Sequence, residues 1–179
     1  MIEIDLSIIV AMTDENRVIG NNGKLPWRLP SDLARFKENT QQTGVMIMGH
    51  NTYASILERN NKPLQGRKHI VLTRNKFLSS QYASVTFARS VEKALMEVTL
   101  SGGRAFVIGG GEIYRIFLQL PEVKRLYITT VYAPELSGDA YFPDIDMRYW
   151  KLIFGSTICQ WDTKDEYETS HEMYLHLAQ

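Results

Sequence analysis

Short apolar runs rich in β-branched residues alternate along this chain with segments of helical period, and this alternation limits the possible folds more than any other feature. Strands that are each followed by a helix assemble into a largely parallel sheet with helices packed against it. The sequence therefore predicts an α/β fold. The predicted strands are residues 4–11, 45–48, 69–73, 84–87, 104–108 and 126–131, and the predicted helices begin at residue 30 and cover residues 50–56, 90–98 and 112–118.

The last third of the chain has a different pattern. Residues 150–158 and 167–177 show no helical period, and apolar and polar residues alternate in the second of these segments. Such alternation is typical of strands that bury one face, so we expect an antiparallel pair that completes the sheet. Residues 13–29 and 133–143 have no regular pattern. Loops of this length in a compact domain are usually functional, so both are candidates for covering a site.

Composition narrows the class of protein. The 179 residues are the length of one domain, and 20 Lys and Arg side chains balance 20 Asp and Glu side chains, which disfavours a nucleic-acid binder. The single cysteine, Cys159, excludes an internal disulfide and a thiolate zinc site. The four histidines lack metal-ligand spacing, so we expect no metal. An acidic N-terminus and the lack of an apolar stretch of about 20 residues predict a cytoplasmic protein without a membrane segment.

One acidic residue falls on an apolar stripe. Asp32 shares helical spacing with Leu29, Leu33 and Phe36, while Arg35 is expected to point elsewhere. An ionised carboxylate on an apolar face is costly unless a partner is present. Two interpretations remain open at this point. Asp32 either caps the positive end of its helix or lines an apolar pocket that takes a ligand with a positive charge or two donors.

Glycines end two of the predicted strands just before a helix. Gly49 precedes residues 50–52, and Gly109 to Gly111 precede residues 112–114. Glycine permits close approach of a ligand, and the free N–H groups of a helix start favour phosphate, although a tight turn explains each junction equally well. Position 114 is Tyr114, so no G-x-G-x-x-G is present, and neither G-x-x-x-x-G-K-[ST] nor G-x-S-x-G occurs. Ordinary Rossmann proteins, P-loop enzymes and serine hydrolases are disfavoured.

Eight short motifs occur in order between residues 7 and 143. They are Ser7-Ile8-Ile9-Val10-Ala11, Val18-Ile19-Gly20, Leu25-Pro26-Trp27, Leu29-Pro30-x-Asp32-Leu33-x-x-Phe36, Met48-Gly49-x-x-Thr52, Gly66-Arg67, Ile108-Gly109-Gly110-Gly111-x-x-Tyr114 and Gly138-Asp139-x-x-Phe142-Pro143. With these motifs in this order, the sequence resembles the bacterial-type dihydrofolate reductases.

The resemblance carries expectations about fold and reaction. It implies one domain over residues 1–179, with a mixed eight-stranded sheet that is parallel but for the last strand, four flanking helices, and an adenosine-binding subregion at residues 44–120. It implies hydride transfer from NADPH to 7,8-dihydrofolate, which gives tetrahydrofolate for one-carbon and thymidylate metabolism. It also implies a monomer that binds antifolates such as methotrexate or trimethoprim.

On the substrate side, the resemblance implies that Asp32 accepts two hydrogen bonds from the pterin. Burial would raise the pKa of Asp32, and Thr129 and the helix end would lower it. Trp27 would orient a water near Asp32, and Leu25 would pack near the nicotinamide in a mobile lid formed by residues 13–29. Further substrate contacts are implied for Ile9, Val10, Leu33, Phe36, Ile56, Leu64, Ile108 and Tyr114.

Three further positions carry specific expectations. Arg67 would form a fork onto the glutamate α-carboxylate of the substrate, the alternative being a surface arginine at a strand edge. Asp139 would steady the lid from the second loop. Residues 57–62 are an insertion that is expected to lengthen the loop before Pro63 and to leave the benzoyl contacts less defined.

On the cofactor side, the resemblance implies a pyrophosphate cradle and an adenosine site. Arg74 would face the 2′-phosphate, because its fork of donors carries a permanent charge. His50 stands where many relatives carry arginine, so selectivity for the phosphate would depend on Arg74. The cradle would comprise Gly49, Thr52, Gly110 and Gly111, and the remaining cofactor contacts would be Ala11, Ile19, Gly20, Asn51, Leu72, Thr73, Ile108, Glu112, Ile113 and Tyr114.

Two alternatives differ from this interpretation in substrate or in class. A reductase of similar fold acts on a pyrimidine ribityl intermediate of riboflavin synthesis, but Asp32 and Arg67 suit a pterin with a glutamate tail better. A non-catalytic NADP-binding module would need neither the lid nor the stripe that faces the pterin. Activity with dihydrofolate separates the three possibilities.

Overall fold

A computed structural model describes residues 2–155 and 164–177. It contains ten strands, four α-helices and one 3-10 helix in this part of the chain. The strands are β1 (Asp5–Thr13), β2 (Val18–Gly20), β3 (Val45–Gly49), β4 (Lys68–Leu72), β5 (Val85–Ala88), β6 (Arg104–Val107), β7 (Val123–Val131), β8 (Ala140–Tyr141), β9 (Trp150–Gly155) and β10 (Thr169–His176). The helices are α1 (Pro30–Thr43), α2 (His50–Asn60), α3 (Val91–Leu100) and α4 (Gly111–Phe117), and the 3-10 helix is Met147–Tyr149.

Eight strands form the main sheet in the order β5-β4-β3-β6-β1-β7-β10-β9. Only β10 runs against the others, because it pairs antiparallel with both β7 and β9. The predicted α/β class, the mostly parallel sheet with an antiparallel C-terminal strand and the four helices are therefore confirmed. Strand β9 ends at Gly155, and the predicted extension over residues 156–158 lies outside the described residues.

The two segments predicted to be irregular each contain a short strand. Strand β2 lies within residues 13–29, and β8 lies within residues 133–143. They pair antiparallel as a separate two-stranded sheet, so the two segments are joined to each other by backbone hydrogen bonds. Strands of three and two residues are too short to show a period, which is why the sequence pattern did not predict them.

The expectation that residues 57–62 lengthen a loop is wrong. Helix α2 continues through residues 57–60, and Asn61 ends it in the left-handed conformation with φ of 58°. The inserted residues include Leu57, Glu58 and Arg59, which are good helix formers, and no helix breaker occurs before Pro63. The insertion therefore adds a helical turn beside the loop that leads to β4.

Helix α1 is placed by its two ends. Pro30 occupies the first turn, where a missing N–H costs nothing, and Gly44 ends the helix with φ of 67°. The helix packs against β3 and β6. The stripe that contains Asp32 thus lies near the carboxyl ends of the central strands, where ligands bind in open α/β sheets. None of the helices in the described ranges is both long enough and apolar enough to span a membrane.

Candidate active site

The Asp32 side chain is hydrogen-bonded to a residue of the sheet and does not cap its own helix. Thr129 on β7 donates a hydrogen bond from Oγ1 to Asp32 Oδ1 at 2.7 Å, and the Asp32 side chain is 17% exposed. Burial raises the pKa of Asp32, whereas the Thr129 hydrogen bond and the nearby Arg35 charge lower it. Of the two interpretations left open by the sequence, the structure favours a carboxylate at the wall of a pocket.

The first turn of α1 is capped from a distant part of the chain. Asp165, which is 7% exposed, accepts hydrogen bonds from the backbone N–H of Ser31 at 3.0 Å and from the Ser31 hydroxyl. The neighbouring Glu166 accepts from the N–H of Arg28 at 2.7 Å. Two acids that are remote in sequence therefore stabilise the start of α1, where the helix dipole favours negative charge.

Arg35 corrects one sequence-based expectation. It does not point away from the stripe, because its Nη2 lies 4.0 Å from Asp32 Oδ1 and 3.4 Å from the Ser31 hydroxyl. Its Nε is buried and has no hydrogen-bond partner among the described residues. Arg35 follows Asp32 by three positions, so helical spacing alone puts the two side chains on neighbouring parts of one face.

Several predicted substrate residues form one apolar wall. Phe36 on α1, Ile56 on α2, Leu64 and Ile108 are partly buried and pack against a single cluster that includes Met48. They come from four separate parts of the chain and meet beside the site. Leu33 on α1 is also partly buried.

Two other predicted contacts are more deeply buried. Val10 and Tyr114 belong to the main core, with 6% and 4% exposure. The Tyr114 hydroxyl donates to the backbone carbonyl of Ile9 at 2.8 Å and thereby ties α4 to β1. Ile9 is partly buried on the strand that neighbours Thr129.

Arg67 is buried, so the alternative of a surface arginine is wrong. It is 7% exposed, and it donates from Nη1 to the Thr40 hydroxyl at 3.0 Å and from Nε to the Gln65 carbonyl at 3.2 Å. The loss of hydration on burial lowers the pKa of Arg67. These hydrogen bonds fix two of the guanidinium nitrogens and leave Nη2 without a hydrogen bond in the described structure.

The two glycine junctions lie side by side. Strands β3 and β6 are neighbours in the sheet, and the Gly49 N–H donates to the Gly109 carbonyl at 2.8 Å. A Cβ on Gly49 would lie 3.0 Å from Ile113, and a Cβ on Gly110 would lie 3.5 Å from the Thr52 hydroxyl. Gly49 and Gly110 occupy the N-cap positions of α2 and α4 without a side-chain cap. A side chain at Gly49 would thus press on Ile113, and the first N–H groups of both helices are left without a side-chain cap.

The predicted 2′-phosphate ligand is on the surface. Arg74 has a side-chain exposure of 91%, and its Nη2 lies 3.1 Å from Glu112 Oε1. His50 is the first residue of α2 and is partly exposed. Thr73 accepts a hydrogen bond from the Asn75 N–H at 3.1 Å, which shapes the turn after β4. The predicted adenosine end therefore combines an exposed ion pair with a turn. Among the other predicted cofactor contacts, Leu72 is the last residue of β4, Asn51 is the second residue of α2, Ala11 lies near the end of β1, and Ile19 is the middle residue of β2.

The lid segment, residues 13–29, is attached on two sides. Its Asn22 N–H donates to Asp139 Oδ2 at 3.0 Å, and the Asp139 N–H donates to the Gly20 carbonyl at 3.1 Å. On the other side, the Ser55 hydroxyl of α2 donates to the Gly23 carbonyl at 2.6 Å. The contact of Asp139 agrees with the role expected for it.

Two side chains of the lid segment differ in burial. Trp27 is 6% exposed and packs in a cluster with Leu29 and Ala11, whereas Leu25 is 43% exposed. The lid therefore offers one apolar side chain toward solvent.

The residues that sequence analysis missed are Arg35, Asp165 and His171, which meet near Asp32. His171 Nδ1 lies 3.1 Å from the Thr129 hydroxyl oxygen. Burial lowers the pKa of His171 to about 4. The sequence offered one indication, the polar character of His171 in a strand that otherwise alternates. The contacts themselves are remote in sequence, because His171 is 42 residues from Thr129 and Asp165 is 134 residues from Ser31.

Comparison with known proteins gives one consistent family. A family model described as dihydrofolate reductase matches residues 5–176. The dihydrofolate reductase of Bacillus subtilis is 37% identical over 169 residues, which cover 94% of this chain and 93% of the relative. That of Haemophilus influenzae is 38% identical over 148 residues, which cover 83% of this chain and 84% of the relative.

A solved structure agrees with these sequence matches. Dihydrofolate reductase from Enterococcus faecalis, complexed with NADP(H) and RAB-propyl, has a TM-score of 0.81 at 29% identity, and the match covers 97% of both chains. The shared sheet order is thus accompanied by related sequence along almost the whole length. The resemblance that the eight motifs indicated is confirmed, and the chain belongs to the dihydrofolate reductase family.

Proposed function

We propose that this chain reduces 7,8-dihydrofolate to 5,6,7,8-tetrahydrofolate with NADPH, and that Asp32 is its catalytic carboxylate. The observation that carries the proposal is the placement of Asp32, which is mostly buried, bonded to Thr129 at 2.7 Å and set on the helix that faces the apolar wall. A buried carboxylate needs a polar ligand, and a pterin offers two adjacent donors.

The described residues supply the groups that the substrate requires. Asp32 would accept from the 2-amino group and the adjacent ring nitrogen, and Phe36, Ile56 and Leu64 would hold the ring systems. Arg67, already oriented by Thr40, would bind the α-carboxylate of the glutamate tail through the nitrogen that remains without a bond. Charge-assisted bonds of this kind are about twice as strong as neutral ones.

Reduction also requires a proton at N5 of the substrate. Asp32 would favour the reactive protonation state, and a water oriented near Trp27 would deliver the proton. Burial raises the pKa of Asp32, so its carboxyl group stays protonated to a higher pH than that of an exposed aspartate. Reduction should therefore slow as the pH rises and Asp32 ionises.

Bound NADPH would supply the hydride. The residues present fit such a group, since the two glycine junctions lie side by side and the starts of α2 and α4 have no side-chain cap on their free N–H groups. Gly49, Thr52, Gly110 and Gly111 would hold the pyrophosphate. Residues 44–120 would form the adenosine-binding subregion, with Arg74 at the 2′-phosphate.

The lid segment would exclude water from the reacting atoms. Leu25 would turn toward the nicotinamide, and the bonds from Asn22 to Asp139 and from Gly23 to Ser55 would hold the segment over the site. All of these residues come from one chain. We further propose that the protein is a monomer, that it works in the cytoplasm and that it binds antifolates in place of the substrate.

The test is a reaction followed by the loss of absorbance of reduced nicotinamide. The protein with NADPH and dihydrofolate should consume both in equal amounts, and methotrexate should compete with dihydrofolate in a binding titration. A pyrimidine ribityl substrate serves as the comparison, because its reduction in place of dihydrofolate would contradict the proposal. Binding of NADPH without turnover of either substrate would favour a non-catalytic module.

A further inference from the structure

A groove borders Asp32. It has a volume of about 350 Å³ and is lined by residues of α1, β1, β7, β9 and β10. Asp32 and Arg35 reach it from the helix, and Thr129 and His171 reach it from the sheet. Its other lining residues are mainly aromatic or apolar, including Phe36, Tyr127, Phe154 and Met173. Asn39 and Glu172 are its remaining polar lining residues.

His171 is brought to the groove by strand pairing. It lies opposite Thr129 in the antiparallel register of β10 with β7, so the two side chains share one face of the sheet. His171 Nδ1 is 3.1 Å from Thr129 Oγ1, and His171 Nε2 is 3.3 Å from Thr169 Oγ1. A continuous line of polar atoms thus runs from Thr169 through His171 and Thr129 to Asp32.

The number of hydrogens sets the direction of this line. The Thr129 hydroxyl has one hydrogen, and it donates that hydrogen to the ionised Asp32 carboxylate. Its oxygen can then only accept from His171, so Nδ1 must carry the proton of the neutral ring. In that tautomer Nε2 has no proton and can accept from the Thr169 hydroxyl, whose oxygen is 3.3 Å away.

We propose that His171 is a positioning residue for the catalytic carboxylate, and that it acts by donating from Nδ1 to the Thr129 hydroxyl that binds Asp32. The inference rests on the proposed function, because the role of Asp32 in reduction is part of that proposal. Hydrogen bonds in a chain polarise one another, so a donor behind Thr129 strengthens the bond that Thr129 makes to Asp32.

The charges around His171 are compatible with a neutral ring. Arg35 and Asp32 face it from α1, Asp165 approaches from the segment before β10, and the β9 neighbour Phe154 is uncharged. Burial and the charge of Arg35 lower the pKa of His171 to about 4, although Asp165 opposes them. A ring whose pKa is about 4 is neutral near neutral pH.

Substitution of His171 has a defined expected effect. Loss of the Nδ1 donor weakens the hydrogen bond to the ionised carboxylate, which makes ionisation of Asp32 less favourable. The midpoint of the pH profile for hydride transfer should then move upward by about half a pH unit, the size expected for a partial loss of one hydrogen bond.

Two matched variants separate donation from packing. In His171→Asn, the side-chain amide nitrogen takes the place of Nδ1 and keeps the donor. In His171→Gln, the amide reaches the position of Nε2 and loses contact with Thr129. His171→Gln should raise the midpoint, and His171→Asn should restore most of the change. His176→Gln removes the other histidine of β10, which packs on Trp150, and controls for general effects on the strand.

A double-variant cycle tests the route through Thr129. In a Thr129→Val background, His171→Gln should move the midpoint no further, because the intermediate hydroxyl is gone. An equal movement in both backgrounds would show that His171 acts directly on Asp32 and would overturn the proposal. The proposal is also overturned if the His171→Gln and His171→Asn variants have the same midpoint in the pH profile.

A measurement without turnover keeps this inference distinct from the proposed function. Nitrogen NMR of the protein at a pH where Asp32 is ionised should show the Nδ1–H tautomer of His171, and carbon NMR should show the Asp32 titration moving with His171→Gln. An Nε2–H tautomer would overturn the proposal. If the native protein fails to reduce dihydrofolate while the tautomer and titration behave as stated, the proposed function fails and the hydrogen-bond relay stands.

Discussion

The two halves of the proposed site are built differently. At Asp32, Thr129 of β7 holds the carboxylate through a hydrogen bond of 2.7 Å, and His171 of β10 lies 3.1 Å from Thr129. At the nucleotide end, the backbone of two glycine junctions meets a surface ion pair in which Arg74 is 91% exposed. A buried polar group whose partner is lost keeps its full desolvation cost, whereas exposed charge pairs contribute about 0–1 kcal/mol. Substitutions in the first region should therefore have much larger effects than substitutions in the second.

The largest effect is expected from Asp32→Asn. The amide cannot accept both pterin donors and cannot assist protonation, so hydride transfer near neutral pH should fall by at least ~10²-fold while the protein stays folded. Single-turnover absorbance measures the rate, and circular dichroism checks folding. Glu38→Gln removes an exposed acid from the same helix and should leave the rate unchanged. If Asp32→Asn keeps a rate within a few-fold of the native protein, Asp32 is not the catalytic carboxylate and the two regions do not differ as stated.

A second, smaller effect is expected from the lid, which touches both halves. Deletion of residues 21–24 removes the Asn22 bond to Asp139 and the Gly23 bond to Ser55. Hydride transfer should slow by about tenfold or more, because the reacting atoms are no longer shielded from water. Binding of NADPH without substrate should change little. An unchanged single-turnover rate would mean that the segment only connects β1 to α1.

Arg74→Ala tests the charged part of the nucleotide end. Loss of a charge-assisted bond to the 2′-phosphate should weaken NADPH binding by about tenfold, near the lower limit for such bonds because the side chain is exposed. NADH binding should hardly change. Equal losses for both nucleotides would point to a structural arginine.

Glu112→Gln sharpens the same test. It releases Arg74 from its ion pair and should tighten NADPH binding by about twofold, the size expected for a surface pair. Binding titrations at two salt concentrations measure both variants, and the effects should shrink at high salt. Tighter binding of NADH as well would show that the carboxylate acts elsewhere on the nucleotide.

The smallest effect is expected from His50→Ala. His50 stands at the start of α2 and is partly exposed. A partly exposed side chain beside the phosphate should contribute little, so NADPH affinity should fall by about twofold in a binding titration. An equal loss of NADH affinity would indicate packing in place of a contact with the 2′-phosphate.

The sequence predicted those parts of the molecule that depend on neighbours along the chain. The Asp32 stripe was found because one helical face repeats over a few residues, and the main strands were found because each is a short apolar run. Arg35 was misplaced because a charged side chain was assumed to leave an apolar stripe. The helical extension of α2 over residues 57–60 was missed because an insertion was assumed to form a loop.

The parts that could not be predicted depend on tertiary contacts. Asp165 caps α1 across 134 residues, and His171 reaches Thr129 only through the register of β10 with β7. No local pattern records such pairings, since the same residues would suit an exposed loop or a strand face. The β2–β8 pair has the same origin, because neither strand is long enough to have a period of its own.

The central place of β1 in the sheet has a consequence for how the molecule is made. Its neighbours are β6 and β7, so Ile8 must pair with Val107 and Leu126, which are synthesised roughly a hundred residues later. Contacts so distant in sequence form slowly, because chain closure entropy is lost before pairing energy is gained. Strand β1 thus waits for much of the chain that follows it. Since β10 comes after the other strands of the described sheet, the Asp32 carboxylate gains the support of His171 only when those strands have been made.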